Sequence, residues 1–413
     1  MRNGWTGGQY SLFRAIFGLY LFIHFCALVP WGPELFSNRG ALPEAAASPL
    51  IHLFPNVLAV FDGALFVQGL IIVAAFLSLL FASGQWDRIA ALVLWYLWAC
   101  LLGRNPLISN PSIPYVGWLL LVHVFLPPAP YGSWTARARR ESGTSWRMPE
   151  SLFLLAWVLM ALWYSYGGYT KLVSPSWLDG TALARILESP LTRPGFLRET
   201  LLALPETSLR LATWGALGLE LLFAPLAMFR RLRPWIWSAM LGMHLGLLLV
   251  IDFADLTFGM VILHLFTFDP AWFRPTGADT PELLFYDGRC GLCHGVVRFV
   301  LTEHRGGVAF RFAPLEGETF RAMVPAAESR ALPDSLVLRT TDGHLLTRSA
   351  AVLRILRRLG GVWRLIAAVV ELVPASVRDR WYDAVARTRH SLFRRPPQAC
   401  PVVPEHLRGR FCA

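Results

Sequence analysis

Charge is what this chain has least of. Only 16% of its 413 residues are Asp, Glu, Lys or Arg, where soluble domains carry about a quarter, and this deficit excludes a single water-soluble globule. Cysteine is scarce as well: the six present are too few and too scattered for a disulfide scaffold, and Cys26 and Cys100 fall inside apolar runs as packing residues. Lysine is almost missing, since of 38 Lys and Arg residues a single one, Lys171, is lysine. Zinc-finger, RNA-recognition and helix-turn-helix patterns are missing too. The formal net charge of +11 therefore points to anionic lipid headgroups and away from nucleic acid. The N-terminus has Arg2 but no short apolar core followed by a small-residue cleavage site, so the first apolar run is expected to be retained.

What is there is apolar: 55% of the chain is hydrophobic, concentrated before Phe268. Long runs extend over Ser11 to Val29, Val57 to Ala82, Ile89 to Leu102, Ile113 to Leu126, Ser151 to Tyr169, Leu209 to Phe229, Pro234 to Val250 and Ala254 to Phe268. They predict an all-α polytopic membrane domain over residues 1–275 with about eight transmembrane helices. Arginines cluster at Arg137, Arg139, Arg140 and Arg147 and again at Arg230, Arg231 and Arg233. By the positive-inside rule both loops lie on the N-terminal side, which an even number of spans makes the cytoplasmic side of the C-terminal domain as well. The expected location is the inner membrane of a bacterium.

The stretch Asp269 to Thr280, with Pro270, Pro275 and Gly277, reads as a linker, and the pattern changes after it. LLFYD is a buried strand, the stretch after Gly291 a helix, and VAFRF a second strand. SLVLRT and HLLTRS flank Asp342-Gly343, a type I′ hairpin signal, with a helix beginning near Ser349. Residues 281–413 thus have the element order of an α/β thioredoxin-like domain, extended by C-terminal helices over Gly361 to Leu372 and Ser376 to Thr388.

Cys290 and Cys293 stand where the first strand ends and a helix begins, in LLFYDGRCGLCHGVVRF. Three residues apart in a first helical turn, two thiols lie on one face within disulfide reach, and free backbone N–H groups stabilise a thiolate. Cys290 is the expected nucleophile, aided by neighbouring Arg289, and Cys293 the resolving thiol. A zinc knuckle is the alternative, but it needs four ligands, and Cys400 and Cys412 are isolated from each other. No metal is expected. Pro333, before the third strand, stands about where thioredoxin-like domains have a cis-proline; an ordinary trans proline is the other reading.

The spacing of Asp287, Cys290 and Cys293 after an apolar strand resembles the DCC family of thiol-disulfide oxidoreductases. WYDAVARTRHSLF and the ending CPVVPEHLRGRF, with Cys400 and Arg410, are similar to that family's C-terminal hallmarks. The resemblance implies a thioredoxin-like fold, a redox role for Cys290 and Cys293, and Asp287 as a proton acceptor beside them. Asp287 as a cap of the following helix is the competing reading.

A second resemblance covers most of Ser11 to Phe273. YSYGGYTKLVSPSWLDGTAL, SLFRAIFGLYL, LELLFAPLAMF and MHLGLLLVIDFADLTFGMVILHLFTFDPAWF are similar to the HTTM domain and the vitamin K-dependent gamma-carboxylase superfamily. In the carboxylase a lysine of this motif is the base that deprotonates the reduced quinone, and Lys171 matches it; the resemblance implies a vitamin K-like membrane quinone as ligand. Read from the residues alone, Lys171 at the end of a span snorkels to the interface. Among the other polar groups inside apolar runs (His24, His123, Glu220, His244, Asp252, Asp255, His264), His244 and Asp252 are retained as ligand-binding candidates. Helix–helix hydrogen bonding is the alternative for most of them.

Together these readings predict a membrane-tethered thiol-disulfide oxidoreductase acting on a protein or small-molecule disulfide or dithiol. The competing prediction is a quinone-dependent, carboxylase-like membrane enzyme with Lys171 as base and the thiol domain as its reductant.

Overall fold

The computed structural model describes residues 3–138, 146–252, 254–276, 280–304, 309–392 and 405–412. Cys400, Arg139, Arg140 and Gly277 lie outside the described residues. The chain forms two compact units. One comprises Phe13–Leu126 and Pro149–Phe268, and the other Asp269–Ala413 with Arg2–Leu12 and Pro127–Met148.

The first unit is helical. Its long helices are α1 (Gly7–Leu28, whose first turns belong to the second unit), α2 (Ala64–Ser83), α3 (Asp87–Arg104), α4 (Ile113–Phe125), α5 (Glu150–Lys171), α6 (Glu206–Leu221), α7 (Arg233–Val250) and α8 (Ala254–Thr267). α2 has no charged residue and stops at Gly84, whose φ of 75° lets its N–H close on Leu80 and Phe81 carbonyls. Pro at the start of α4 costs no hydrogen bond there.

The expected eight spans need correction. Among the described residues three helices, α1, α2 and α5, are long and apolar enough to cross a membrane by length and composition. α4 and α8 are 13 and 14 residues long, short of the ~20 that hydrocarbon requires. α3 carries Asp87, Arg88 and Arg104, and α7 is diluted by Arg233 and His244. The run from Leu209 breaks after Leu221, because Pro225 lacks an N–H and the Ser165 hydroxyl takes over, donating to the Leu221 carbonyl at 3.0 Å and accepting from Ala224 N–H at 2.9 Å.

Ions inside this unit are matched. Asp87 lies 3.5 Å from Arg14 of α1 and 3.4 Å from His123 of α4, and buried Arg104 reaches Asp62 at 3.3 Å. Each pair offsets a burial cost that a lone charge would carry in full. Gly168 lets α5 and the end of α6 meet closely: a Cβ there would sit 2.7 Å from the Leu221 amide.

The second unit holds a four-stranded mixed sheet in the order β2-β1-β3-β4. β1 (Glu282–Tyr286) pairs in parallel with β2 (Phe310–Pro314), and β3 (Val337–Arg339) runs antiparallel to both β1 and β4 (Leu345–Thr347). β1 is buried on both faces, which is why it reads as a continuous apolar run. Leu284 and Tyr286 face α9 (Gly291–Glu303) and α10 (Arg348–Leu359), while Leu283 and Phe285 pack on Phe320, Val324 and Val337. Two short helices, Glu318–Met323 and Ala326–Ala331, occupy the connection from β2 to β3. α11 (Gly361–Val370) and α12 (Ala375–Leu392) complete the domain. Phe411 docks on the edge of β2, stacking on Phe312, and the Cys412 N–H bonds the Phe312 carbonyl at 2.8 Å.

The hairpin from β3 to β4 is present, but its turn is not type I′. Only Gly343 has a positive φ, 85°. Its N–H donates to the Thr340 carbonyl, and the Thr340 N–H to the His344 carbonyl. Thr341 thus lengthens the loop to a type I turn followed by a left-handed glycine. Pro333 follows a trans bond.

Candidate functional site

β1 delivers its chain end to the dithiol. After Tyr286 the Asp287 carboxylate accepts the Arg289 N–H at 2.8 Å, and the Asp287 carbonyl accepts the Cys290 N–H at 3.2 Å. The tight loop so formed leaves Cys290 with extended backbone as the N-cap of α9. Its sulfur plays the part an oxygen usually plays at that position, accepting the Cys293 N–H at 3.5 Å. Negative charge on this sulfur is favoured by the helix terminus. The loop is braced from behind by His294, whose Nε2 lies 2.9 Å from the Gly288 carbonyl.

Both thiols are free and buried, Cys290 being 1% and Cys293 6% exposed. Burial pushes the Cys293 thiol up to about 12, reinforced by the hydrogen bond and charge of Cys290; the Arg389 guanidinium works the other way. Cys293 is thus arranged to keep its proton.

The cation expected beside the pair was Arg289. Instead Arg289 is 67% exposed and pairs with Glu316 at 3.2 Å. The arginine that acts on the sulfurs is Arg389 of α12, which donates to Asp334 at 2.5 Å, lies 3.7 Å from Asp287, and interacts electrostatically with Cys290 and Cys293. Tyr382, from the same helix, accepts the Leu336 N–H at 3.0 Å. Burial raises its phenol and the charge of Cys293 adds to that. Arg389, Tyr382 and Asp334 were not singled out from sequence; the signal was WYDAVARTRHSLF, which contains two of them. A cavity of about 410 Å³ opens beside Cys293, lined also by Leu336, Val352, Arg378, Trp381 and Tyr382.

Of the cysteines named in the zinc alternative, Cys400 lies outside the described residues. Among the described residues no three His, Cys, Asp or Glu side chains gather as a metal site, and Cys412 packs on the opposite face of the sheet from the dithiol.

The remaining predicted site residues lie in the helical unit and are only partly brought together. Lys171 donates to Glu220 and stands 4.9 Å from the Trp177 ring. His244 is buried, its Nε2 2.8 Å from the hydroxyl of Tyr164, which lies on α5 two turns before Lys171. Asp252 stands apart, with its side chain 75% exposed and 3.6 Å from Arg193.

The profile of DCC1-like thiol-disulfide oxidoreductases matches residues 284–395. The uncharacterized protein YuxK of Bacillus subtilis (strain 168) is 32% identical over 134 residues, 32% of this chain and 93% of that protein. A chloroplastic DCC family protein of Arabidopsis thaliana is 30% identical over 131 residues, 30% of this chain and 74% of its own. No solved structure matches the chain significantly. The family match begins inside β1 and does not touch the helical unit.

Proposed function

The chain belongs to the DCC1-like thiol-disulfide oxidoreductase family through its C-terminal domain, and from that premise we propose that it is a membrane-tethered enzyme exchanging thiols and disulfides through Cys290 and Cys293. The observation that carries this reading is the Cys293 N–H on the Cys290 sulfur at the start of α9. The parallel β1–β2 pair joined through α9, followed by an antiparallel hairpin, supports a thioredoxin-like domain. Three apolar helices support the tether.

In the proposed cycle Cys290 attacks a substrate disulfide, forming a mixed disulfide and releasing one substrate thiolate. Cys293 then gives up its proton and attacks the Cys290 sulfur, releasing the second thiol and closing the protein disulfide. Two electrons pass to the substrate, and its two sulfurs take up two protons. Asp287 positions the loop and Arg389 stabilises charge on the sulfurs. The cycle runs on the dithiol alone and needs no quinone step; Lys171 is paired with Glu220.

Trapping tests it. Cys293→Ser should accumulate a mixed disulfide on Cys290 with 4,4′-dithiodipyridine, and the wild-type protein should pass through it to an intramolecular disulfide. A wild-type protein that forms no Cys290–Cys293 disulfide under these conditions would refute the cycle.

A further inference from the structure

We infer that the cavity beside Cys293 binds a small apolar dithiol carrying a carboxylate, and that this molecule reduces the Cys290–Cys293 disulfide from the Cys293 side. The inference rests on the thiol-exchange reading above and names the partner for its reducing half.

At about 410 Å³ the cavity falls within the ~300–1,000 Å³ of sites that enclose a small molecule. Its wall is mainly aliphatic, with Leu336, Val352, Leu353 and Val385, and of the two thiols only Cys293 lines it. The lining has two arginines, Arg378 and Arg389, and no carboxylate. Arg389 is engaged by Asp334. Arg378 differs: its Nε and Nη1 are buried and meet no hydrogen-bond partner among the described residues. Two buried guanidinium nitrogens lacking acceptors are an unfilled demand for an anion, and a carboxylate matches such planar donors. An apolar body with one carboxylate fits the wall and the cation at once.

The direction of attack follows from the two sulfurs. In the oxidised protein a ligand thiolate in the cavity meets Cys293 first. Its sulfur bonds to the Cys293 sulfur, the Cys290–Cys293 bond breaks, and Cys290 departs as the thiolate that the Cys293 N–H stabilises. The second ligand thiolate then attacks the first ligand sulfur. The ligand closes to a cyclic disulfide, and Cys293 leaves and is protonated. The ligand loses two electrons and two protons; the protein dithiol gains both.

The test uses the full-length oxidised protein in lipid nanodiscs, with reduction rates read for dihydrolipoate, its neutral amide, and dithiothreitol. Dihydrolipoate should saturate and outpace the other two, and octanoate, apolar and anionic without a thiol, should compete with it. In Arg378→Ala the dihydrolipoate-to-dithiothreitol rate ratio should fall about tenfold, with Arg378→Lys restoring part of it. Val385→Trp, which fills the cavity and leaves Arg378 in place, should lower the same ratio. Equal ratios across all variants, or no competition by octanoate, would overturn the inference while leaving thiol exchange standing. A disulfide that even dithiothreitol fails to reduce would instead bring down the exchange reading beneath it.

Discussion

The guanidinium of Arg389 lies 3.7 Å from the carboxylate of Asp287, so the final long helix reaches the loop that carries the dithiol. Its charge acts on both cysteines. Removing it takes a cation from the sulfurs and from the neighbouring Asp287 and Asp334 carboxylates, two effects of the same sign. Arg389→Ala should therefore slow iodoacetamide alkylation of the reduced protein at pH 7 by about tenfold, the equivalent of one pKa unit. Arg389→Lys should recover much of the rate. Unchanged alkylation in Arg389→Ala would show that the helix terminus alone sets reactivity.

Cys293 titrates far above its ordinary 9.0, at about 12, with burial as the largest cause. A thiol raised in the folded state holds its proton where the unfolded chain has released one, so its contribution to stability is complete below pH 9 and fades as pH climbs toward 12. Reduced Cys290→Ser protein isolates the effect. Without the hydrogen bond and charge of Cys290, Cys293 should titrate lower than in the wild type and still above 9.0, because burial remains. Thiolate absorbance against pH measures this, and a midpoint at or below 9.0 would mean that Cys293 is not shielded from water.

The dithiol was legible from sequence because everything that places it is local. A buried strand, an Asp-Gly turn and a helix start stand within a dozen or so residues, and the helix begins at Gly291 as expected. Arg389, Asp334 and Tyr382 were not legible, since they meet the site only once α12 packs against α10 and α9; a sequence motif marks such residues without saying what they touch. The hairpin failed in its detail for a smaller reason. Asp-Gly suggests a two-residue turn, and Thr341 supplies a third residue that keeps Asp342 out of the left-handed region. Hydropathy misled most in the helical unit, where the apolar run from Leu209 crosses a helix end set by Pro225 and the Ser165 hydroxyl, and where the apolar helices carry ions matched within the fold, such as Arg14 and Asp87.

Glu303, the last residue of α9, is buried and accepts the Gly8 N–H at 2.7 Å, the Trp363 indole N–H at 2.7 Å and the Thr6 hydroxyl. Glu303→Ala would strand three donors without acceptors, at about 1–3 kcal/mol each before relaxation. The expected result is a loss of about 3 kcal/mol in the C-terminal domain, read as a lower midpoint in denaturant. Glu303→Gln keeps an acceptor oxygen and should lose clearly less. If the two variants unfold together, the carboxylate is not what the three donors require.

Lys171 and Glu220 are the pair on which the competing, quinone-dependent reading turns. Glu220 is buried and Lys171 donates to it, so a structural role predicts a particular pattern. Either single substitution, Lys171→Met or Glu220→Leu, leaves an unmatched ion, costing about 3–5 kcal/mol if fully buried and less here because Lys171 is 28% exposed. The double variant should regain most of the lost thermal stability. Thiol exchange at Cys290 should persist in all three folded proteins. A Lys171→Met protein that keeps its stability but loses activity would reverse the assignment and make the lysine a base, whereas recovery in the double variant ties both residues to the packing of α5 against α6.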